Sequence, residues 1–137
     1  MIDFTALSPS DLASFFVSHQ SELDAEGISE EYVMEMLRAS KAVAELRPYG
    51  FALIQLQPAP GGKEMPHLWA LYIDEQRRGS GLGLKFLREI LKKYSRDYHM
   101  TLYCVGSRRR SFFGRAGFRV ETRDGEMRRM TTNPDRR

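Results

Sequence analysis

The spacing of apolar positions along this chain changes several times, and each change marks an element. The opening run IDFTAL alternates and reads as a strand. In SPSDLASFFVSHQ the period becomes helical. Ser8 is a good N-cap, Pro9 and Asp11 suit a first turn, and Leu12, Phe15 and Phe16 share a face. Ser21 to Gly27 reads as a loop. ISEEYVMEMLRAS has Ser29 as a cap and Tyr32, Val33, Met36 and Leu37 on one side. KAVAEL, RPYG and FALIQLQ then predict strand, turn and strand, with Pro48 and Gly50 supplying turn chemistry, and PAPGGK predicts a second turn. HLWALYID is almost continuously apolar, which suits a strand central in its sheet. After EQRRGSGLG, Phe86, Leu87, Ile90, Leu91 and Tyr94 form a helical stripe with charges opposite. HMTLYCV predicts a strand, RRRSFFGRAG a short helix ending at Gly117, and FRVETRDGEMRRMTT a hairpin turning at Asp124-Gly125. The tail, NPDRR and at most residues 131–137, is expected to fray.

A helix joining HLWALYID to HMTLYCV makes those strands parallel neighbours, while the hairpins make the remaining pairs antiparallel. The expected fold class is α/β (α+β). A single domain over residues 1–137 would hold one mixed, mostly antiparallel sheet flanked by helices.

Composition narrows the partners. Of the 137 residues 42% are apolar, enough for one core, and no run of about 18 apolar residues suggests a membrane span. The N-terminus lacks the basic and apolar regions of a signal peptide. The single cysteine, Cys104, excludes an internal disulfide, so a cytoplasmic protein is expected. Residues 1–66 carry 4 basic and 10 acidic side chains, whereas residues 67–137 carry 17 and 8. A basic half calls for nucleic acid, a membrane surface or a phosphorylated cofactor, unless it is only a solvated face.

The glycine-rich stretch EQRRGSGLGLKFL bears on that choice. A loop that leaves a buried strand and enters a helix aims several backbone N–H groups at one point, where the helix dipole favours an anion. Gly79, Gly81 and Gly83 let a phosphate approach closely, and Arg77 and Arg78 can add charge-assisted hydrogen bonds. The Walker spacing fails because Lys85 is not followed by Ser or Thr. The dinucleotide fingerprint fails at Leu84 and Phe86.

LYIDEQRRGSGLGLKFL resembles motif A of the GNAT acyltransferase superfamily, with Arg78-Gly79-Ser80-Gly81-Leu82-Gly83 in the Arg/Gln-x-x-Gly-x-Gly/Ala positions; Gln76-Arg77-Arg78-Gly79-Ser80-Gly81 also fits. RRRSFFGRAGFRV is similar to that superfamily's motif B, with Phe112-Phe113 ahead of Gly117-Phe118. The element order agrees over nearly the whole chain, most weakly before residue 40. The resemblance implies a splayed parallel strand pair and acetyl-CoA (coenzyme A) as the cofactor. Its pyrophosphate would lie on the backbone of Arg78 to Gly83, and its pantetheine would pair near Leu71, Tyr72 and Ile73. It also implies a small-molecule or peptide amine acceptor, with neither nucleic acid nor membrane as partner, and is compatible with a homodimer. The acceptor would sit between the first two helices and the final hairpin. The acidic residues Glu22, Asp24, Glu26, Glu30 and Glu31 there suit a cationic amine, although acidic helix starts also serve capping.

Acyl transfer to an amine needs a proton acceptor, a donor for the developing oxyanion and a route for the thiolate to leave. The position where the superfamily often has a Glu base is His67 here, and an ordinary imidazole pKa near 6.5 suits that role; otherwise His67 only begins a strand after Pro66. The usual tyrosine acid is replaced by Phe113, leaving Tyr103, Ser107, Ser111 or a water as substitutes. A frequent asparagine contact is replaced by Gly106. Cys104 reads as a small buried apolar residue rather than a nucleophile. His19, His99 and Cys104 lack metal-ligand spacing, so no metal is expected. Arg108 to Arg110 face either the nucleotide end of the cofactor or solvent, and Trp69 and Tyr49 read as packing residues. A coenzyme A-binding regulatory module with little catalysis is the alternative, with nucleic-acid binding behind it.

Overall fold

The computed structural model describes residues 9–39, 41–58, 61, 64–95 and 99–132. The expected strand IDFTAL, the cap Ser8, most of the PAPGGK turn and the tail beyond residue 132 lie outside these. Strands Ala42–Arg47 (β1), Gly50–Pro58 (β2), Glu64–Ile73 (β3), Thr101–Val105 (β4), Phe118–Asp124 (β5) and Met127–Thr132 (β6) form one sheet in the order β1-β2-β3-β4-β6-β5. Only β3 and β4 are parallel. The helices are Pro9–Ser18 (α1), Gln20–Ala25 (α2), Glu30–Arg38 (α3), Leu82–Tyr94 (α4) and Ser107–Arg115 (α5).

Successive residues of β2 show why this sheet is central. Phe51, Ala52, Leu53 and Ile54 are all fully buried, because the strand is covered on both faces. Phe51 and Leu53 join Leu12, Phe16, Leu23, Val33 and Tyr72 beneath α1–α3, whereas Ala52 and Ile54 join Leu68, Phe86, Leu87, Ile90 and Leu102 beneath α4 and α5. The stripes expected on α1 and α4 face the two cores, as does that of α3 through Val33, Met36 and Leu37, while Tyr32 stays exposed. Ser29 caps α3, accepting a hydrogen bond from the Tyr32 N–H at 3.3 Å.

Three expectations change. The loop expected from Ser21 to Gly27 is largely α2. One buried residue, Leu23, anchors that short helix, too little to make a periodic stripe in sequence. Gly50 is a glycine because β2 passes close to β3: a Cβ there would stand 2.6 Å from the Tyr72 carbonyl oxygen. The frayed tail cannot begin at residue 131, since Thr131 pairs with Thr101 and Arg119, and Thr132 with Phe118.

The feature that positions the site lies midway along β3. Opposite β2, Leu53 pairs with Ala70 and Ile54 with Leu68, which leaves Trp69 as a bulge. A bulge bends and twists its strand. At the same level the parallel pairing with β4, made only at His67↔Thr101 and Leu68↔Leu102, stops. Beyond it β3 and β4 part. No helix among the described residues is long and apolar enough to cross a membrane.

Candidate active site

The parting strands open a cleft of about 750 Å³ through the sheet. Leu71 and Ile73 line one side, Leu102, Tyr103 and Cys104 the other. Arg78, Gly79, Gly81 and Gly83 border one end, and Arg108, Arg109, Phe112, Phe113 and Arg115 of α5 cover it. Its size is that of a site for a substantial organic ligand.

Backbone direction along β3 follows from two contacts. The Asp74 N–H donates to the Tyr49 carbonyl at 2.7 Å, and the Ile73 carbonyl accepts from Arg78 Nε at 2.9 Å. Peptide groups of successive strand residues point to opposite edges. Leu71 and Ile73 therefore present theirs to the cleft, while Tyr72 presents its own to β2. Tyr72 also turns its side chain away, into the core under α1–α3. Burial and the Glu22 carboxylate raise its phenol pKa, so it stays protonated. Of the expected triplet, Leu71 and Ile73 reach the cleft and Tyr72 does not.

The glycine loop divides in the same way. After β3 the chain makes one turn of 3-10 helix, Glu75–Arg77, capped by the Asp74 carboxylate, before entering α4. Gly79 and Gly81 have φ of +83° and +86°, where side chains are strained, and Gly81 is the N-cap of α4 with no side-chain capping bond. The first N–H groups of α4 have no intrahelical partner, so this terminus is open to an anion. Gly83 has no such backbone requirement, and a Cβ there would come into contact with Phe112 and Ile73 at 3.4 Å. Ser80 Oγ donates back to the Arg77 carbonyl. Arg77, Ser80 and Leu82 do not line the cleft, whereas Arg78 does. Arg78 and Arg109 both approach the Glu26 carboxylate, at 3.8 and 3.9 Å.

At the reacting end, His67 is buried below the point where the strands part and does not line the cleft. Its Nδ1 is 2.7 Å from Thr101 Oγ1 and its ring lies 5.1 Å from that of Tyr103. Burial, with the Arg129 guanidinium adding to it, pushes its pKa down to about 4. Such a group is neutral at pH 7, yet too weakly basic to take a proton from an ammonium of pKa about 10. A base at this position would need an ordinary pKa and an open position, and His67 has neither. Of the hydroxyls weighed as substitutes at Phe113, Tyr103 lines the cleft; Ser107 and Ser111 do not. Phe113 itself lines it, packed edge-on against Phe112 and Phe118. Gly106 lies outside it; with φ +102° it is the N-cap of α5, which accounts for a glycine there. Cys104 lines the cleft, but burial raises its thiol pKa.

Residues that sequence reasoning missed come from separate elements. Gly27 and Ile28 reach the cleft from the α2–α3 connection beside Glu26, expected near the acceptor, and Trp69, read as packing, reaches it from the bulge. The register slip that aims Trp69 has no mark in the sequence.

The sequence matches no protein-family model and no curated protein sequence. The architecture is shared with solved structures. An acetyltransferase from Thermus thermophilus aligns with a TM-score of 0.67 at 18% identity, covering 91% of each chain. The PaiA N-acetyltransferase from Thermoplasma acidophilum, solved in complex with coenzyme A, aligns at 0.65 and 20% identity over 93% of this chain and 95% of that one. An acetyltransferase assigned to the GNAT family, from Desulfovibrio desulfuricans, aligns at 0.59 and 22% identity over 74% and 76%. With its sheet opened between one parallel strand pair above a glycine-rich helix start, this chain has the fold of the GNAT acetyltransferases.

Proposed function

We propose that this chain is an N-acetyltransferase that binds acetyl-CoA in the cleft between β3 and β4 and transfers the acetyl group to an amine by direct attack. The observation that carries this reading is the parting of β3 from β4 after two residue pairs, which leads from free strand edges to the uncapped start of α4. The pyrophosphate would rest on the backbone from Arg78 to Gly83, with the guanidinium groups of Arg78, Arg108 and Arg109 near its charge. The backbone of Leu71 and Ile73 would hold the pantetheine arm. The coenzyme A complex of the Thermoplasma structure supports this choice of ligand.

Acetyl-CoA supplies an activated thioester. The acceptor loses a proton to solvent, and its nitrogen forms the C–N bond as the C–S bond breaks. The second amine proton follows to solvent, and the sulfur takes one from the Tyr103 hydroxyl, which is replenished from water. His67 stays neutral throughout.

Two measurements test the reading. Calorimetry should show coenzyme A binding that Arg78→Ala weakens about tenfold, and thiol release should follow addition of acetyl-CoA to a panel of primary amines. Absence of coenzyme A binding would remove the proposal. Binding without turnover on any amine would leave a coenzyme A-binding module.

A further inference from the structure

The connection from α2 to α3 enters the cleft at its charged end. Glu26 directly follows α2, and one oxygen of its carboxylate, Oε1, stands 3.8 Å from Arg78 Nη2 and 3.9 Å from Arg109 Nη2. The two arginines come from opposite sides of the cleft, Arg78 from the loop after β3 and Arg109 from α5 after β4. Glu26 therefore bridges them. Arg78 is held for this contact: its Nε donates to the Ile73 carbonyl at 2.9 Å, and its Cζ lies 5.7 Å from the centre of the Tyr72 ring. A carboxylate between two guanidinium groups takes the place an anionic ligand would take.

Little apolar contact holds α2 down. Leu23 is the one buried residue of its six. A helix of that length is not stable by itself. Its remaining ties are polar and lead to the same loop. Glu22 Oε1 accepts from the Glu75 N–H at 3.2 Å, and His19 Nε2 lies 3.8 Å from the Asp74 carboxylate. Past Glu26 the chain turns at Gly27, and Ile28 enters the core against which Trp69 packs. Glu26, Gly27, Ile28 and Trp69 all line the cleft. From Trp69 to Ile73 is about 13 Å along β3, so an anion confined to the glycine loop does not touch Trp69. Glu26 and Ile28 nevertheless connect that loop to it.

We propose that Glu26 is a latch. In the free protein it holds the α2–α3 connection across the charged end of the cleft, and a polyphosphate bound by Arg78, Arg109 and the start of α4 displaces it. The polyphosphate brings more negative charge than one carboxylate, and like charges this close repel, so the two do not share the arginines. Release of Glu26 frees α2 and changes the packing of Ile28 and Trp69. Its return opposes retention of the ligand. That the polyphosphate belongs to coenzyme A rests on the acetyl-transfer reading, but the latch answers to the anion alone. Trp69 is the one tryptophan in the chain, so its emission reports the release.

Full-length protein should be titrated with inorganic pyrophosphate and, separately, with coenzyme A at constant ionic strength, following Trp69 emission and amide hydrogen exchange from Glu22 to Ile28. Pyrophosphate should shift the emission saturably and speed exchange in that segment about tenfold. Free Glu26→Gln should already show the shifted emission and the faster exchange, with pyrophosphate adding little. Coenzyme A should leave this variant several-fold more slowly in stopped-flow. Asp24, exposed on the same helix and outside both ion pairs, supplies the control. Asp24→Asn removes an equal charge and should behave as wild type. Pyrophosphate that binds by calorimetry without moving emission or exchange overturns the proposal, as does a Glu26→Gln protein indistinguishable from wild type, or no binding of either anion. Coenzyme A and pyrophosphate that both bind and leave the segment unchanged overturn the latch and keep the cofactor reading. Pyrophosphate that frees the segment in a protein deaf to coenzyme A supports the latch and removes the cofactor reading, so the two fail separately.

Discussion

The imidazole of His67 is 4% exposed, and its pKa is held near 4 by burial and by Arg129. Two outcomes follow at this residue. Because it stays neutral, kcat/KM for a primary amine should rise about tenfold per pH unit from pH 6 to 8 with no inflection near 6.5, and His67→Gln should leave that slope intact. An inflection between pH 6 and 7 that His67→Gln abolishes would restore the residue as the base. The second outcome concerns stability. In the unfolded chain the group titrates near 6.5, so between about pH 6.5 and 4 the unfolded state binds the extra proton and stability falls as pH falls. By pH 4 the loss should be on the order of 3 kcal/mol, read as the difference in urea unfolding between wild type and His67→Gln across that window. Position 67 was legible in the sequence as a candidate for chemistry. Its pKa was not, because that depends on burial in the folded sheet and on Arg129, brought near it by β6.

Between elements, a buried polar cluster joins β1 to α4. Glu45 is buried, yet its carboxylate accepts from Arg47 Nη1 at 3.2 Å, from Lys93 Nζ at 2.9 Å and from the Tyr94 hydroxyl. Arg47 also approaches Glu89 at 3.5 Å and lies 4.9 Å from the centre of the Phe86 ring. Removing one partner of a buried pair strands the others, so Glu45→Ala should cost about 3–5 kcal/mol in denaturant unfolding. Where β2 crosses β3, Gly50→Ala should cost about 1–3 kcal/mol, because the new Cβ has no room beside the Tyr72 carbonyl. Helix periodicity made α1, α3 and α4 readable, and apolar runs did the same for β2 and β3. α2 was hidden because one buried leucine in six residues leaves no period to detect.

Across the whole molecule, the acidic first half and basic second half meet at the cleft. Arg78, Arg108, Arg109 and Arg115 line it from the basic side, and Glu26 enters from the acidic side to meet two of them. A phosphate bound there must compete with that carboxylate. Glu26→Gln should therefore tighten coenzyme A binding several-fold at low salt, with the difference shrinking as ionic strength rises. A weaker affinity in that variant would show that Glu26 supports the ligand site rather than occupying it.

The sequence by itself determined the helical and strand periods, the parallel partnership of β3 and β4, the glycine loop that starts α4 and the uneven charge. All of these are local patterns or follow from the order of elements along one chain. Tertiary structure decided which residues of those patterns face the cleft. The bulge at Trp69 shifts the register by one residue, and a strand side chain changes face with each residue. That shift aims Trp69 at the opening. The alternation of peptide groups turns Tyr72 away while Leu71 and Ile73 remain. Glu26 and Tyr103, distant in sequence, meet the same cavity because separate connections converge on the sheet. Side-chain direction and pKa depend on neighbours that the linear order does not name, and for that reason folding alone decided them.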